Sequence, residues 1–173
     1  MAHEMAEPSA PGPEAVLEAI ERQREAAAAP RTEQERVPYL GFSLDAEVYG
    51  LPVQRLREVA RVAHLRRVPG APRGVAGLVN LRGEILCALD VRVILGFAAI
   101  APEDSPFLIA LRGFADPLCL VVDAITNIYS IAPEEIEPPP ATWPAERAAI
   151  FVGTARVPEG LIGLLDLDRV VAL

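Results

Sequence analysis

Three charged residues of this chain sit where their neighbours are apolar, and their chemistry is what the sequence offers first. Arg82 stands at the tip of a ribbon-like run, Val75 to Leu89, in which Asn80-Leu81-Arg82-Gly83 separates two apolar segments. A guanidinium on a short, stiff turn loses little freedom when it meets a planar anion or carbonyl, which suits recognition. Read only from its neighbours, Arg82 is in the first place a turn arginine that keeps a hairpin soluble, ahead of the recognition reading. Glu58 lies in Leu56 to Val62, where alternation groups it with Leu56, Ala60 and Val62 and turns Arg55, Arg57 and Arg61 the other way. Such a carboxylate either marks the place where an apolar face becomes a binding surface or is buried against a cation such as Arg82. Asp123 follows Leu120-Val121-Val122, a position that suits a hydrolase carboxylate; without a partner it reads as a strand-end turn former.

Catalysis needs a nucleophile, a base or a metal in a recognisable arrangement. The sequence has no Gly-x-Ser-x-Gly elbow, no Gly-rich phosphate loop opening a helix and no His-based metal motif. Cys87 and Cys119 fall in apolar runs where a thiol behaves as a small hydrophobe, and His3 and His64 lie in unrelated segments. The expectation is a protein that is not an enzyme, with no cofactor, no metal and no disulfide framework.

The elements that must position these residues are short strands broken by Gly, Pro and Asp, an all-β pattern. A first set of five comprises Tyr39 to Leu44, Glu47 to Pro52, Leu56 to Ala63, Gly77 to Leu81 and Glu84 to Leu89. A second set comprises Phe107 to Arg112, Leu118 to Ala124, Thr126 to Ile131, Ile150 to Arg156 and Leu161 to Leu165. A weak echo links two halves: Gly83 and Gly160 each begin an apolar strand that ends in Asp90 or Asp166, followed by a short helix over Val91 to Leu95 or Leu167 to Val171. Each Asp has the place of an N-cap, which is a structural role. Pro138-Pro139-Pro140 makes a stiff connection, and Trp143 within it reads as a lid on the core.

Residues 1–38 form an N-terminal extension, flexible or partly helical, rich in Ala, Pro, Glu and Arg. Within it Pro13 to Ala29 has helical composition, with Pro30 as a stop and a short apolar stripe of Val16, Leu17 and Ile20. A helix so thinly apolar is marginal alone, and composition favours a linker over a docked helix. Residues 39–173 form the folded domain. No apolar run is long enough to span a membrane and nothing resembles a secretory leader, so a cytoplasmic location without direct membrane insertion is expected. The formal charge of −8 divides unevenly: −4 over residues 1–37, +2 over 38–112 and −6 over 113–173. The arginine-rich strip from Arg55 to Arg73 lacks an aromatic residue to stack on bases, so it reads as a solvated or protein-binding face and not as a nucleic-acid site.

Taken in order, Tyr49-Gly50-Leu51-Pro52-Val53, Leu56-Arg57-Glu58-Val59, Val68-Pro69-Gly70-Ala71-Pro72, Gly77-Leu78-Val79-Asn80-Leu81-Arg82-Gly83 and Leu89-Asp90-Val91-Arg92 closely resemble the CheW family of bacterial chemotaxis coupling proteins. Val121-Val122-Asp123-Ala124-Ile125 and Leu165-Asp166-Leu167 to Val171 extend the resemblance from about Tyr39 to the C-terminus. The resemblance implies an all-β fold of two SH3-like five-stranded barrels, packed together and intertwined, with short helices. It implies a non-catalytic adaptor that joins a CheA-type histidine kinase to the cytoplasmic tip of a methyl-accepting chemoreceptor, at membrane-associated receptor arrays. It places Glu58 and Arg82 at the receptor-binding surface, with Leu56, Val79 and Ile128 as apolar neighbours. Cys87-Ala88, Cys119 and the long extension depart from the family pattern. The cysteine substitutions are conservative; the extension and the arginine-rich Arg55 to Arg73 strip raise the alternative of a scaffold of a noncanonical chemosensory pathway that keeps only one partner surface.

Overall fold

The structure, a computed structural model, describes residues 12–27, 36–61, 64–99 and 106–172. Its elements are α1 (Pro13–Ala27), β1 (Val37–Leu44), β2 (Glu47–Pro52), a 3-10 turn (Val53–Arg55), β3 (Leu56–Arg61), β4 (Leu65–Arg66), β5 (Val75–Leu81), β6 (Glu84–Asp90), α2 (Val91–Ile94), β7 (Phe107–Leu111) and β8 (Leu118–Val122), followed by β9 (Ala124–Ile131), a 3-10 turn (Pro133–Glu135), α3 (Ala145–Ala148), β10 (Phe151–Val157), β11 (Gly160–Leu165) and α4 (Leu167–Val171). The ten expected strands are all present. The two-residue β4 was not expected, because Leu65 and Arg66 are too few to show a period. Val62, Ala63, Ala28, Ala29, Pro30 and His3 lie outside the described residues.

The strands do not divide as two consecutive sets. One sheet runs β3-β7-β8-β6-β5-β4 and draws on a continuous stretch of chain; the other runs β10-β11-β2-β1-β9 and joins the first hairpin to the last three strands. The first is called here the continuous sheet and the second the split sheet. Periodicity finds strands but carries no information about which distant strand a hairpin will join, so the expected partition into residues 39–89 and 107–165 is corrected. Parallel pairings complete both sheets: β6 with β8, and β11 with β2.

Alternation along the central strands produces three apolar clusters. On β7, Phe107, Ile109 and Leu111 join the large cluster between the two sheets, while Leu108 and Ala110 face the continuous sheet's own interior with Val79, Leu86, Ala88, Cys119 and Val121. Tyr39, Tyr129, Ile131, Ala155, Ile162 and Leu164 fill the split sheet's interior. The large cluster takes Leu40, Phe42, Leu44, Tyr49 and Leu51 from the split sheet and Val53, Leu56, Val59, Leu120 and Val122 from the continuous sheet and the turn before it. Trp143 packs against this cluster with its ring 4.8 Å from that of Phe151, as the lid reading expects.

Where composition favoured a linker, the structure has a docked helix. The Val16 and Ile20 side chains of α1 are buried in the cluster between the sheets, and Arg24 donates to the Leu56 carbonyl. Full burial of two aliphatic side chains contributes about 1.5–3 kcal/mol each. A helix of fifteen residues is marginal in isolation, so this short docked stripe decides whether it forms. The helix is therefore held by a small margin.

A composite clamp of ion pairs joins the sheets. Arg92 of α2 pairs with Asp123, directly after β8, and reaches Asp45 in the β1–β2 turn at 3.0 Å; Asp123 also accepts from the Asp45 backbone N–H at 2.9 Å. Asp123 is thus the turn-bonding carboxylate that its isolation in the sequence implied.

Candidate functional site

The β5–β6 hairpin closes on a two-residue turn, with Leu81 opposite Glu84 and both Arg82 (φ 53°) and Gly83 (φ 90°) left-handed. Positive φ at both central residues defines a type I′ turn, whose twist matches the flanking strands. Glycine adopts this conformation freely, whereas an arginine held there is strained. The Asn80 side-chain oxygen accepts from the Gly83 N–H at 2.9 Å and fixes the turn from within. The sequence pointed to Gly83 as the residue with positive φ; that Arg82 shares it follows only from the two-residue loop length.

Glu58 is displaced from its expected neighbours by a bulge. The β3–β7 register shifts between Leu56 and Glu58, so that Leu56 opposes Leu111 and Glu58 opposes Ala110. The extra residue breaks strict alternation. Leu56 and Val59 both turn into the cluster between the sheets, and Glu58 lies on the side of Ala110, toward the continuous sheet's own interior. The carboxylate is only 15% exposed and meets Arg82 Nε at 3.0 Å, while the Arg82 side chain remains 77% exposed. Of the two readings of Glu58, burial against Arg82 is the one realised. Arg57 extends the chain of charges, with Nε 3.8 Å from Glu58 and a 2.6 Å bond from Nη1 to Glu84. In a flat sheet with strands about 4.8 Å apart, β6 would lie about 14 Å from β3. Curling of the sheet brings the hairpin tip back over the edge strand and lets the ion pairs close it.

The other expected site residues do not share this surface. Leu56 is fully buried in the cluster between the sheets, and Val79 is 5% exposed within the continuous sheet. Both set the positions of their strands and neither presents its side chain to a partner. Ile128 is half-buried on β9 of the split sheet, opposite Leu40. Apolar residues that the sequence reading did not single out are exposed instead, among them Leu78 and Ile85 on the same hairpin as Arg82. Their signal was the outward phase of the alternation in β5 and β6.

Among the described residues, the two capping aspartates are occupied and the Cys119 thiol is shielded. Asp90 and Asp166 accept backbone N–H groups of α2 and α4, from Arg92 at 2.9 Å and from Asp168 and Arg169 at 3.1 and 3.3 Å. Cys119 pairs in register with Ala88, so Cys87 points to the opposite face, and burial pushes the Cys119 thiol up to about 12. Among the described residues no group of three or more His, Cys, Asp and Glu side chains could hold a metal ion, and no helix is long and apolar enough to cross a membrane. Clefts of about 430 and 260 Å³ flank α2, one bordered by Arg73, Arg147 and Ile150 and the other by Arg67, Val68 and Ala71. Neither includes Glu58 or Arg82. The arrangement at Glu58 offers recognition chemistry: a guanidinium prepositioned by a strained turn and a half-buried carboxylate, on the rim of a sheet.

Comparison with known proteins agrees with this architecture. A family model described as the CheW-like domain matches residues 38–173. The chemotaxis protein CheW of Klebsiella aerogenes is 24% identical over 134 residues, covering 78% of this chain and 81% of that protein. The chemotaxis protein CheW of Helicobacter pylori is 25% identical over 154 residues, covering 88% and 93%. The crystal structure of the scaffolding protein TtCheW from Thermoanaerobacter tengcongensis matches with a TM-score of 0.70 at 25% identity, covering 80% of this chain and 94% of that one.

Proposed function

The chain belongs to the CheW-like family, and on that premise we propose that it couples a CheA-type histidine kinase to the cytoplasmic tip of a methyl-accepting chemoreceptor. Its place among CheW scaffolds and its pair of SH3-like subdomains rest on the family match and the solved neighbour. The coupling itself rests on one observation: Arg82 is exposed, anchored through Nε by a half-buried carboxylate and held at positive φ by a turn that Asn80 ties. A side chain so restrained binds an anionic or carbonyl partner at small entropic cost. Backbone strain at a recognition residue persists only because the surrounding hairpin imposes it. Glu58 positions the arginine, and the exposed Leu78 and Ile85 supply apolar area on the same hairpin for a helical partner.

Co-sedimentation of the chain with a receptor cytoplasmic fragment and the kinase tests the proposal. The expected result is entry into the ternary complex and a change in kinase autophosphorylation. Arg82→Ala should weaken receptor association about 10-fold, the loss of one well-placed contact, and leave kinase association intact. Equal loss of both partners together with a lowered melting midpoint would make Arg82 structural. Failure of the wild-type chain to enter the complex would overturn coupling.

A further inference from the structure

We propose that α1 is a displaceable cover, occupying a helix-accepting face on β3 and the preceding 3-10 turn that a partner's amphipathic helix takes over when it binds. The seated helix shows what the face accepts. Val16 and Ile20, one turn apart, are buried in the cluster that contains Val53, Leu56 and Val59, and Arg24, a further turn on, reaches the Leu56 carbonyl. The rest of the helix is adapted to water: Glu14, Glu18, Glu21, Arg22 and Glu25 are exposed.

The docked state also contains an unfavourable element. Arg24 Nε is buried without a hydrogen-bond partner. Burial lowers the Arg24 pKa and the like charge of Arg112 lowers it further, while the Glu21 carboxylate offsets part of the shift. A guanidinium desolvated beside another cation opposes docking, and the small apolar stripe holds it only narrowly. Leu56, which carries the carbonyl that Arg24 caps, is two residues from Glu58 on the same strand. Release of α1 therefore uncovers apolar surface on the same edge strand, β3, as the proposed recognition site, on the face opposite Glu58. A partner helix with aliphatic residues at i and i+4 would replace Val16 and Ile20, and one carrying a carboxylate in place of Arg24 would find Arg112 nearby.

The identity of the competitor rests on the adaptor reading, whereas the undocking of α1 does not. Hydrogen exchange on the full chain should show α1 amides exchanging at least ~100-fold faster than those of β7, as for a locally opening segment. Exchange of α1 together with β7 would overturn the proposal. Ile20→Asp and, without adding a charge, Ala19→Pro should abolish the helix signal and leave the unfolding midpoint of the sheets unchanged. The same variants should bind the receptor cytoplasmic fragment about 5-fold more tightly, because the competing conformer is removed. A fall in the sheets' midpoint in both variants would make α1 an integral part of the core, and unchanged or weaker fragment binding would show that it covers nothing of use. A synthetic peptide of residues 12–27, supplied at the millimolar concentrations that a short tether provides, should bind the Ala19→Pro chain one to one and compete with the fragment. No peptide binding would show that the face does not accept a free helix. If the fragment binds no form while the exchange and peptide results hold, the adaptor reading fails and the displaceable cover stands.

Discussion

Matched strand for strand, β10-β11-β2-β1-β9 of the split sheet runs as β5-β6-β8-β7-β3 does in the continuous sheet. Each has a hairpin joined in parallel to a second hairpin, with an edge strand on the far side. Each first hairpin has a register shift ending at a glycine, Gly77 in one and Gly153 in the other. Each second strand leads to an aspartate that caps a short helix, Asp90 as the last residue of β6 and Asp166 directly after β11. The sheets differ at their hairpin tips. The continuous sheet presents Arg82-Gly83 and reaches back to Glu58 on its edge strand. The split sheet has Pro158-Glu159 there; on its matching edge strand β9, burial raises the Tyr129 pKa and the Glu159 carboxylate adds to the rise. Features shared by the two sheets are those any sheet of this plan needs. The unmatched tip is where the proposed recognition site lies.

The largest expected effects test the shared features. A Cβ at Gly77 would collide with the Arg66 carbonyl on β4, and φ is +149° there; a Cβ at Gly153 would collide with the Glu137 carbonyl, with no left-handed φ to add. Gly77→Ala should therefore cost about 3 kcal/mol, clash and backbone strain together, and Gly153→Ala about 2 kcal/mol. Urea melts of the two variants measure the difference. The reverse order would mean that the sheets differ more in tolerance than in geometry.

The helix caps come next. Asp90→Ala should cost about 2 kcal/mol and Asp166→Ala about 1 kcal/mol, the upper and middle of the range for N-cap losses. The asymmetry follows from burial: Asp90 lies in the interior, whereas Asp166 is partly exposed and water can replace it. Equal losses in thermal melts would show that the capping bonds alone, and not their setting, decide the cost.

The shared plan was only partly legible in the sequence. The Gly-strand-Asp-helix echo at Gly83 and Gly160 was visible because every part of it is local: turn residue, strand and cap. The exchange of strands between sheets was not, because β2 joins β11 through three residue pairs more than a hundred residues apart, and neither strand's pattern names its partner. The candidate site was legible in part: charges in apolar runs drew attention to Glu58 and Arg82, while the resemblance to the CheW family, and not their local chemistry, implied a receptor-binding surface. Its apolar surround was not. The bulge after Leu56 turns a strand read as alternating into one that buries both Leu56 and Val59, and such a bulge leaves no mark in composition. The docking of α1 was likewise hidden, because two buried residues on a charged helix look like a linker until the surface they meet is known.

Smaller effects separate recognition from stability at the tip that differs. Asparagine tolerates positive φ better than arginine, so Arg82→Asn should stabilise the hairpin by about 0.5–1 kcal/mol and still weaken receptor association. A gain in melting temperature coupled to a loss of binding would be the signature of strain kept for recognition. A double-mutant cycle on Glu58 and Arg82 should return about 0.5 kcal/mol of coupling, since Arg82 is largely exposed and the pair is screened. A loss of stability in Arg82→Asn would instead place the arginine's role in the fold.

The smallest effect concerns the two capped helices. The first turn of α4 contains Asp168, whereas that of α2 contains no acid. Hydrogen bonds from Arg55, the nearer at 2.8 Å, hold the Asp168 carboxyl below the usual carboxylate range. A carboxyl depressed in the folded state contributes stability that is fully present above its unfolded pKa and is lost as pH falls through the folded value. Asp168→Asn should therefore lower the melting midpoint slightly at neutral pH, with the difference from wild type closing as the solution is acidified through that window. Arg55 keeps its place in the variant through its contact with the Phe114 ring, 4.7 Å from the guanidinium carbon, so the comparison isolates the charge. A difference that persists at the acid end would mean that Asp168 acts through packing, and that α4 owes nothing to the electrostatic feature that distinguishes it from α2.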